Sequence, residues 1–287
     1  MYDQANQLRA LVRESAMQQE VFPPPRKIVI GGGKGGVGTT TIAVKLAISL
    51  AQQGCRTVLV DADMNRADVA TLCNLEVRET ISDVLSARRT VHEVLQRGPA
   101  GVQVLPGSWS PTSVPDCSPG SQERLIRELD RLGRHADLIV LDVGNGLNNV
   151  VKRFWEAADL VLVTTSTDTV SIMDAYAAIK VLPSQQSNAV IRTVINRADE
   201  LTGEQVHSRI LQACRRFLGL EIEQAACLPF FSAPNEATGS EATPASESSS
   251  QDFIEAIETL AVNLLHDPCL QARAPRTLGH KAALASA

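Results

Sequence analysis

The sequence lacks the features that would place it in or across a membrane. It has no run of about 18 apolar residues, the length that a membrane-spanning helix needs. Its polar N-terminus lacks the basic stub and apolar segment of an export signal. The cysteines lie far apart and form no Cys-x-x-Cys pair, which argues against a zinc site or another clustered metal site. We therefore expect a cytoplasmic protein whose cysteines are reduced thiols.

Positive charge is also scarce. The chain has 27 Lys and Arg residues against 32 Asp and Glu residues, which gives no overall attraction to nucleic acid or anionic lipid. No Lys or Arg occurs between Arg216 and Arg273, although apolar residues at helical spacing predict an amphipathic helix over 251–265. Because this helix carries acidic rather than basic residues beside its apolar face, we expect it to pack on the sheet and not on a membrane. Proteins are the expected partners, and nucleic acid is not.

Glycine is concentrated in one loop. This loop follows a short apolar run at 27–30 and precedes apolar residues that recur at helical spacing from Ile42. A glycine-rich turn between a strand and a helix directs backbone N–H groups and the positive end of the helix dipole at an anion. The loop therefore predicts a phosphate-binding site, and the alternative is a glycine-rich turn without a ligand. The predicted binding residues are Gly33, Lys34, Gly35, Gly36, Val37, Gly38, Thr39, Thr40 and Thr41.

The loop has the spacing Gly-x4-Gly-Lys-[Ser/Thr], with one departure. Thr39 stands where this motif has its lysine. A charged hydrogen bond to phosphate is worth about 1.5 to 3 kcal/mol, and hydrolysis should suffer further because charge moves onto the phosphate oxygens. Phosphate binding is therefore the firmer prediction, and catalysis is left open.

Two other strand-like segments run into carboxylates. Residues 56–60 lead to Asp61 and Asp63, and residues 138–141 lead to Asp142. The carboxyl ends of parallel strands share one edge of a sheet with the phosphate loop, where Mg²⁺ and water would be held. The alternative, that an aspartate merely caps the next helix, applies to one member of the Asp61 and Asp63 pair and not to both.

The alternation of strands and helices defines the predicted fold. Seven strand-like segments, with a phosphate loop after the first, predict a doubly wound α/β domain over 26–266 with a mainly parallel sheet and helices on both faces. The residue pattern of 1–25 predicts an amphipathic helix followed by a proline-rich spacer. We expect the spacer to hold this helix away from the domain. We expect a flexible loop at 235–250 and a disordered tail at 267–287.

The pattern Lys-Gly-Gly-Val-Gly-x-Thr-Thr, which begins at Lys34, resembles the deviant phosphate loop of the MinD/ParA ATPases. The resemblance extends over about 26–265 and implies a P-loop fold, ATP and Mg²⁺ as cofactors, and a homodimer that forms with ATP. It also implies roles for single residues, given by their numbers in this sequence. A lysine at the place of Lys34 reaches the partner's phosphates, Asp63 orients the attacking water, the Mg²⁺ residues are Thr40, Asp61 and Asp142, and Asn196 contacts adenine.

A second departure lies in the segment that resembles the second switch of this family. Asn145 stands between two glycines, at a position that a small residue usually occupies. We expect this substitution to alter how the switch reports the state of the nucleotide.

The N-terminal segment narrows the resemblance. Its pattern Asp-Gln-Ala-x-x-Leu-Arg resembles the activator motif of the FlhG-like subgroup, whose members regulate flagellum number or placement. In that subgroup the motif stimulates a GTPase of the signal-recognition type, FlhF. The resemblance therefore implies an FlhF-like GTPase as a partner, contacted through Asp3, Gln4, Ala5, Leu8 and Arg9.

Several alternatives stay open at this point. The chain could be a pseudo-ATPase scaffold with little or no hydrolysis, because of Thr39, or another ParA-type positioning protein. Peripheral attachment at the inner membrane is also open. An iron-sulfur carrier of the same fold is disfavoured by the cysteine spacing, and a tyrosine kinase is disfavoured because the chain has 2 tyrosines and no tyrosine-rich tail. A plasmid-partition role would require a basic DNA-binding surface, which the composition does not favour.

Overall fold

The computed structural model describes residues 22–108, 118–146, 149–181, 189–231 and 244–271. The predicted N-terminal helix, its activator motif and most of the predicted tail lie outside the described residues. Within the described ranges, no helix is both long enough and apolar enough to cross a membrane.

Eight strands of the described chain form one sheet, in the order β3-β4-β2-β5-β1-β6-β7-β8. Every neighbouring pair is parallel except β3 and β4, which are antiparallel. This confirms the predicted mainly parallel α/β sheet. The strands are β1 Arg26–Gly32, β2 Thr57–Asp61, β3 Gln96–Arg97, β4 Gln103–Leu105, β5 Leu138–Asn145, β6 Leu160–Thr165, β7 Val190–Asn196 and β8 Glu223–Leu228.

Helices cover both faces of the sheet. The first, second and last helices share one apolar core with one face of the sheet, and the other helices share a second core with the opposite face. Two short 3-10 segments, Pro99–Gly101 and Arg131–Arg134, complete the described elements. The α-helices are α1 Thr39–Gln52, α2 Val69–Leu72, α3 Ile81–Leu85, α4 Val91–Val94, α5 Pro119–Asp130, α6 Asn149–Glu156, α7 Thr169–Val181, α8 Glu200–Leu218 and α9 Pro244–Leu265.

The central strand β1 explains why the fold needs both cores. It lies between β5 and β6, and its side chains at Ile28, Val29 and Ile30 are fully buried. Successive side chains of a strand point to opposite faces, so Val29 belongs to one core and its two neighbours to the other. The strand thereby fixes the position from which the glycine loop starts.

The structure differs from the sequence prediction at three places. Strand β3 was not predicted because its two residues, Gln96 and Arg97, carry no apolar pattern. Helix α9 begins at Pro244 and thus includes part of the segment predicted as a flexible loop, since proline is tolerated in the first helical turn. Hydrogen-bonded structure also continues past α9, where the amides of Leu270 and Gln271 donate to the carbonyl of Asp267.

The predicted packing of the last helix is confirmed. Five apolar side chains of α9 are buried against α1 and β8. They are Phe253, Ile257, Leu260, Ala261 and Leu264, each at most 2% exposed.

Residues 22–25 lie against the domain. A Cβ atom on Gly133 would be 2.1 Å from the backbone oxygen of Pro23, a distance that no side chain allows. The proline-rich segment is therefore in contact with the 3-10 turn at 131–134 before it enters β1.

Candidate functional site

The glycine-rich loop joins the end of β1 to the start of α1 and has the conformation that phosphate binding requires. Gly36 and Gly38 have φ angles of 82° and 95°, in the left-handed region that favours glycine. Gly38 is the N-cap of α1 and offers no side chain to the first N–H groups of the helix. These groups have no partner within a helix, so they are available to an anion at this position.

Asn196, the last residue of β7, contacts the loop. Its Nδ2 donates to the carbonyl oxygen of Val37 at 2.7 Å, and its Oδ1 accepts from the amide of Arg197 at 3.0 Å. A Cβ atom on Gly38 would be 2.4 Å from the same Nδ2. The structure thus places Asn196 against the phosphate loop, and its proposed contact with adenine stays a prediction.

The two residues that depart from the family pattern contact each other. The Thr39 hydroxyl donates to Oδ1 of Asn145 at 3.1 Å. Thr39 is the first residue of α1 and is 2% exposed, and Asn145 ends β5. The place of the motif lysine is therefore taken by a neutral hydrogen bond between the loop and the second predicted switch.

Three carboxylates meet beside the loop. Asp61 and Asp142 are paired in register at the ends of β2 and β5, and they are 1% and 0% exposed. Asp63 follows β2 and is 7% exposed. Asp61 accepts from the amide of Val69 at 3.1 Å, and Asp63 accepts from the amide of Asn65 at 2.8 Å. The structure therefore brings the three predicted acidic residues together, as the sheet topology requires.

Burial raises the pKa values of these carboxyl groups because it penalises the charged form. The pKa of Asp61 is raised to about 8, by burial first and then by the neighbouring charge of Asp142. The pKa of Asp142 is raised to about 6 by burial, while the Thr40 side chain acts in the opposite direction. Burial also raises the pKa of Asp63, against the hydrogen bonds that it accepts from the backbone. Burial therefore makes the charged form of these carboxylates unfavourable, and a bound cation would remove this penalty.

The donor set fits Mg²⁺. The Oδ2 atom of Asp142 is buried and has no hydrogen-bond partner among the described residues, while Oδ1 accepts from the amide of Gly144 at 3.1 Å. No group of three or more His, Cys, Asp or Glu side chains in the described part of the chain is arranged to hold a metal. Mg²⁺ does not need such a cage, because it commonly keeps several waters and uses one or two carboxylates together with the phosphates of a substrate.

Asp63 contacts the segment that resembles the second switch. Gly144 has a φ angle of 65°, and a Cβ atom on it would be 2.0 Å from Oδ2 of Asp63. The carboxylate of Asp63 therefore lies on the backbone of the second switch. Only glycine allows this approach, so any side chain at position 144 would displace Asp63.

Lys34 extends away from its own loop. Its Nζ pairs with Oδ1 of Asp168 at 3.2 Å, and 43% of its side chain is exposed. Asp168 is fixed at the start of α7, where it accepts from the amide of Ser171 at 3.0 Å and from the hydroxyl of Ser166 at 2.7 Å. The Ser171 hydroxyl also donates to Asp168, and this bond, the two above and that of Lys34 hold the pKa of Asp168 well below its usual range. Lys34 is thus held at the surface beside the loop.

Sequence reasoning missed some contacts of this site. It identified Asn145 as a departure but gave no partner for it, because Asn145 and Thr39 are 106 positions apart in the chain. It also gave no role to Gly107, where a Cβ atom would be 2.6 Å from Cγ of Asp61. The Pro-Gly signal at this strand end was visible in the sequence, but its closeness to Asp61 depends on the pairing of β2 with β4.

A phosphate loop after the central strand of a parallel sheet, with acidic strand ends beside it, defines an α/β protein of the P-loop nucleotide-binding class. A family model described as an AAA domain matches residues 25–193. The antiactivator FleN of Pseudomonas aeruginosa is 33% identical over 208 residues, which cover 72% of this chain and 74% of that protein. The chain belongs to the MinD/ParA family of P-loop ATPases, as the loop pattern predicted.

Two further relatives agree with this assignment. The flagellum site-determining protein YlxH of Helicobacter pylori is 31% identical over 156 residues, 54% of this chain and 52% of that protein. The septum site-determining protein MinD of Pyrococcus horikoshii, solved in complex with Mg-ADP, superposes with a TM-score of 0.62 at 20% identity, over 83% of this chain and 95% of that one. The similarity to YlxH, a flagellum site-determining protein, confirms the predicted likeness to flagellar regulators, and the MinD structure shows the shared fold.

Proposed function

We propose that this chain is a nucleotide-dependent switch that binds ATP with Mg²⁺, forms a homodimer in that state and regulates the number or placement of flagella. The observation that carries the proposal is the convergence of the open α1 N-terminus, Asp61, Asp63 and Asp142 at one edge of the sheet. The similarity of this chain to FleN and YlxH supports the flagellar role.

Each group of the site has a role in this proposal. The N–H groups of the loop bind the phosphates, and Thr40, Asp142 and Asp61 hold Mg²⁺ directly or through its waters. Bound Mg²⁺ would neutralise charge on the phosphate oxygens. Asp63 accepts a hydrogen bond from the attacking water and orients it, and its contact with Gly144 makes that geometry depend on the second switch.

Lys34 supports the dimer in this proposal. A cation that is 43% exposed beside the phosphate loop and paired only at its tip with the exposed Asp168 can exchange that partner for a phosphate of a second subunit. Surface ion pairs are worth little, so the exchange costs little. The fixed charge that Thr39 does not supply would then come from the second copy.

The first experiment measures Mg-ATP binding and turnover for the native chain and for Thr39→Lys. Turnover by the native chain would show a working ATPase switch. Binding without turnover, together with a gain of turnover in Thr39→Lys, would identify the alternative, a scaffold that responds to nucleotide but does not hydrolyse it. A native chain that binds no ATP at concentrations up to the millimolar range would contradict the proposal.

Light scattering after size exclusion tests the dimer. We expect a dimer of the native chain with ATP and Mg²⁺ and a monomer with ADP, and we expect Lys34→Ala to stay monomeric in both. Lys45→Ala is a matched control, because this lysine of α1 lies over the Phe231 ring and the proposal gives it no role. An ATP-dependent dimer of Lys34→Ala would remove the role given to Lys34.

A GTPase assay tests the partner. We propose that residues 1–20 stimulate an FlhF-like GTPase through Asp3, Gln4, Ala5, Leu8 and Arg9. Deleting these 20 residues should abolish the stimulation and leave ATP binding unchanged, since the described nucleotide site begins beyond them. Unchanged stimulation by the truncated chain would contradict the proposed partner contact.

A further inference from the structure

The place of the missing lysine is occupied by a specific pair of neutral side chains. In the motif Gly-x4-Gly-Lys-[Ser/Thr], the lysine reaches the β- and γ-phosphates. Here the residue at that position, Thr39, is 2% exposed and its hydroxyl donates to Oδ1 of Asn145. The hydroxyl is therefore directed at a neighbouring side chain and not at solvent.

The amide of Asn145 lies at the base of the phosphate loop. Asn145 pairs in register with Gly32, the last residue of β1 before the loop. A Cβ atom on Gly32 would be 2.8 Å from Oδ1 of Asn145, so the amide covers this glycine. The next residue, Gly146, donates its amide to the carbonyl oxygen of Gly32 at 3.0 Å and fixes the backbone there.

The hydrogen bond from Thr39 determines which half of the amide remains free. An asparagine side chain has an acceptor oxygen and an NH₂ group with two donors. The oxygen already accepts from Thr39, and among the described residues none accepts from Nδ2 of Asn145. The free half is therefore the donor half, which suits the oxygens of a phosphate group.

We propose that Asn145 contacts the phosphates of the bound nucleotide in place of the missing lysine, and that Thr39 is a positioning residue that orients the amide for this contact. The assignment rests on the proposed function and goes further, because it gives the second switch its own bond to the nucleotide. In a chain with the motif lysine, a loop residue contacts the phosphates. Here Asn145, a residue of the second switch, would contact them directly.

The chemistry of the site agrees with a neutral donor. The amide supplies directional N–H groups without a charge, so the positive charge at the phosphates has to come from Mg²⁺ and from Lys34 of a second subunit. The contact should therefore distinguish nucleotides by the number of their phosphates. It should contribute to binding of ATP and not to binding of AMP.

Calorimetric titration with Mg-ATP, Mg-ADP and AMP tests the assignment. Asn145→Ala should weaken ATP binding by about tenfold to a hundredfold, as the loss of a hydrogen bond to a charged group predicts, and leave AMP binding unchanged. Asn145→Asp, of the same shape, should weaken ATP binding more, because it replaces the donors with a negative charge. Asn263→Ala on the exposed surface of α9 is the matched control and should bind like the native chain.

The role of Thr39 is tested by a double-mutant cycle. Thr39→Val should weaken ATP binding less than Asn145→Ala does, and Thr39→Ser, which keeps the hydroxyl, should restore native affinity. The double variant of Thr39→Val and Asn145→Ala should bind no more weakly than Asn145→Ala alone, since the orienting bond has no purpose without the amide. A threonine that only stabilised the fold would give losses that add to those of Asn145→Ala. Additive losses would therefore contradict the positioning role.

The outcomes separate this inference from the proposed function. A native chain that binds ATP, with both Asn145 variants folded and binding equally well, overturns the assignment of Asn145 alone. A native chain that binds no ATP overturns the proposed function and this assignment together. Thermal unfolding of each variant without nucleotide shows that it is folded, and Asn145→Asp provides the test if Asn145→Ala is not.

Discussion

The acidic residues at the amino edge of the sheet differ in their partners from the three carboxylates beside the phosphate loop. At the amino edge, where the strands begin, acids are paired with cations: Arg26 contacts Asp159 and Arg56 contacts Asp137, each at 2.5 Å. At the carboxyl edge the exposed Asp168 pairs with Lys34, but no described cation forms an ion pair with the buried Asp61, Asp63 or Asp142.

The pKa values follow this division. The hydrogen bond from Arg56 lowers the pKa of Asp137, while burial raises the pKa values of Asp61 and Asp142. The acids of the amino edge therefore have their counter-charges within the chain. The buried carboxylates of the carboxyl edge have an unfavourable electrostatic free energy that a bound cation can relieve.

The largest effect should come from breaking the amino edge. Arg192 pairs with Asp267, which is 7% exposed, and also contacts Glu223 at 2.9 Å. Arg192→Met should lower the free energy of unfolding by about 2 to 4 kcal/mol, because it leaves a buried carboxylate without its partner. Urea denaturation measures this change. Arg215→Met is the control, since its pair with Glu221 is exposed and should contribute nothing measurable.

The carboxylates of the carboxyl edge should make the folded chain less stable as pH rises. Asp61 has a pKa of about 8 in the folded chain and about 3.9 when unfolded. Between these values the folded state binds a proton that the unfolded state does not, so stability falls as pH rises through this window. Asp61→Asn should remove this loss and stabilise the metal-free chain at pH 8 by about 1 to 3 kcal/mol.

Denaturation between pH 5 and pH 8 in the presence of a chelator tests this prediction. Asp137→Asn is the matched substitution at the other edge, and it should destabilise the chain without changing the slope between pH 6 and pH 8, since the pKa of Asp137 is lowered. An Asp61→Asn variant whose stability falls with pH as steeply as that of the native chain would contradict the account of the carboxyl edge.

Mg²⁺ should reduce the difference between the edges. If the buried Oδ2 of Asp142 is a Mg²⁺ ligand, Mg-ATP at a hundred times its dissociation constant should stabilise the native chain by about 2.7 kcal/mol. Asp142→Asn should lose most of this gain while keeping its stability without ligand. Thermal unfolding with and without Mg-ATP measures both quantities, and an equal gain in Asp142→Asn would exclude the carboxylate as a ligand.

The smallest effect should come from two glycines with the same type of conformation. Gly38 and Gly54 have φ angles of 95° and 86°, but only at Gly38 would a Cβ atom meet another group, Nδ2 of Asn196. Gly54→Ala should cost about 1 kcal/mol, and Gly38→Ala about 1 kcal/mol more because Asn196 must move. Urea denaturation measures both, and equal costs would show that the Asn196 contact does not constrain the loop.

The sequence predicted the parts of this molecule that depend on local pattern. The apolar run before Gly31 and the carboxylates after Val60 and Leu141 were enough to predict a parallel sheet with a shared acidic edge. Pairing between distant residues could not be predicted. The contact of Lys34 with Asp168 and that of Thr39 with Asn145 depend on how strands and loops far apart in the chain are arranged.

Weak local patterns account for the other differences. The two residues of β3 carry no alternation, and the Ser-rich start of α9 resembles a loop in composition, although it is helical because the rest of the helix is buried. Asn196 was assigned from the resemblance alone, and the sequence could not show that its amide donates to Val37.

The contact between Pro23 and Gly133 sets the point from which the N-terminal segment departs. It lies at the amino edge, one strand length or about 20 Å from the phosphate loop. The predicted activator motif ends at Arg9, 13 residues before Phe22, so its reach from this anchor is at most about 45 Å. A GTPase bound at the motif, as proposed above, would thus be tethered through an attachment point on the side of the molecule away from the nucleotide. The attachment point of this segment therefore lies apart from the face that the proposed dimer would use.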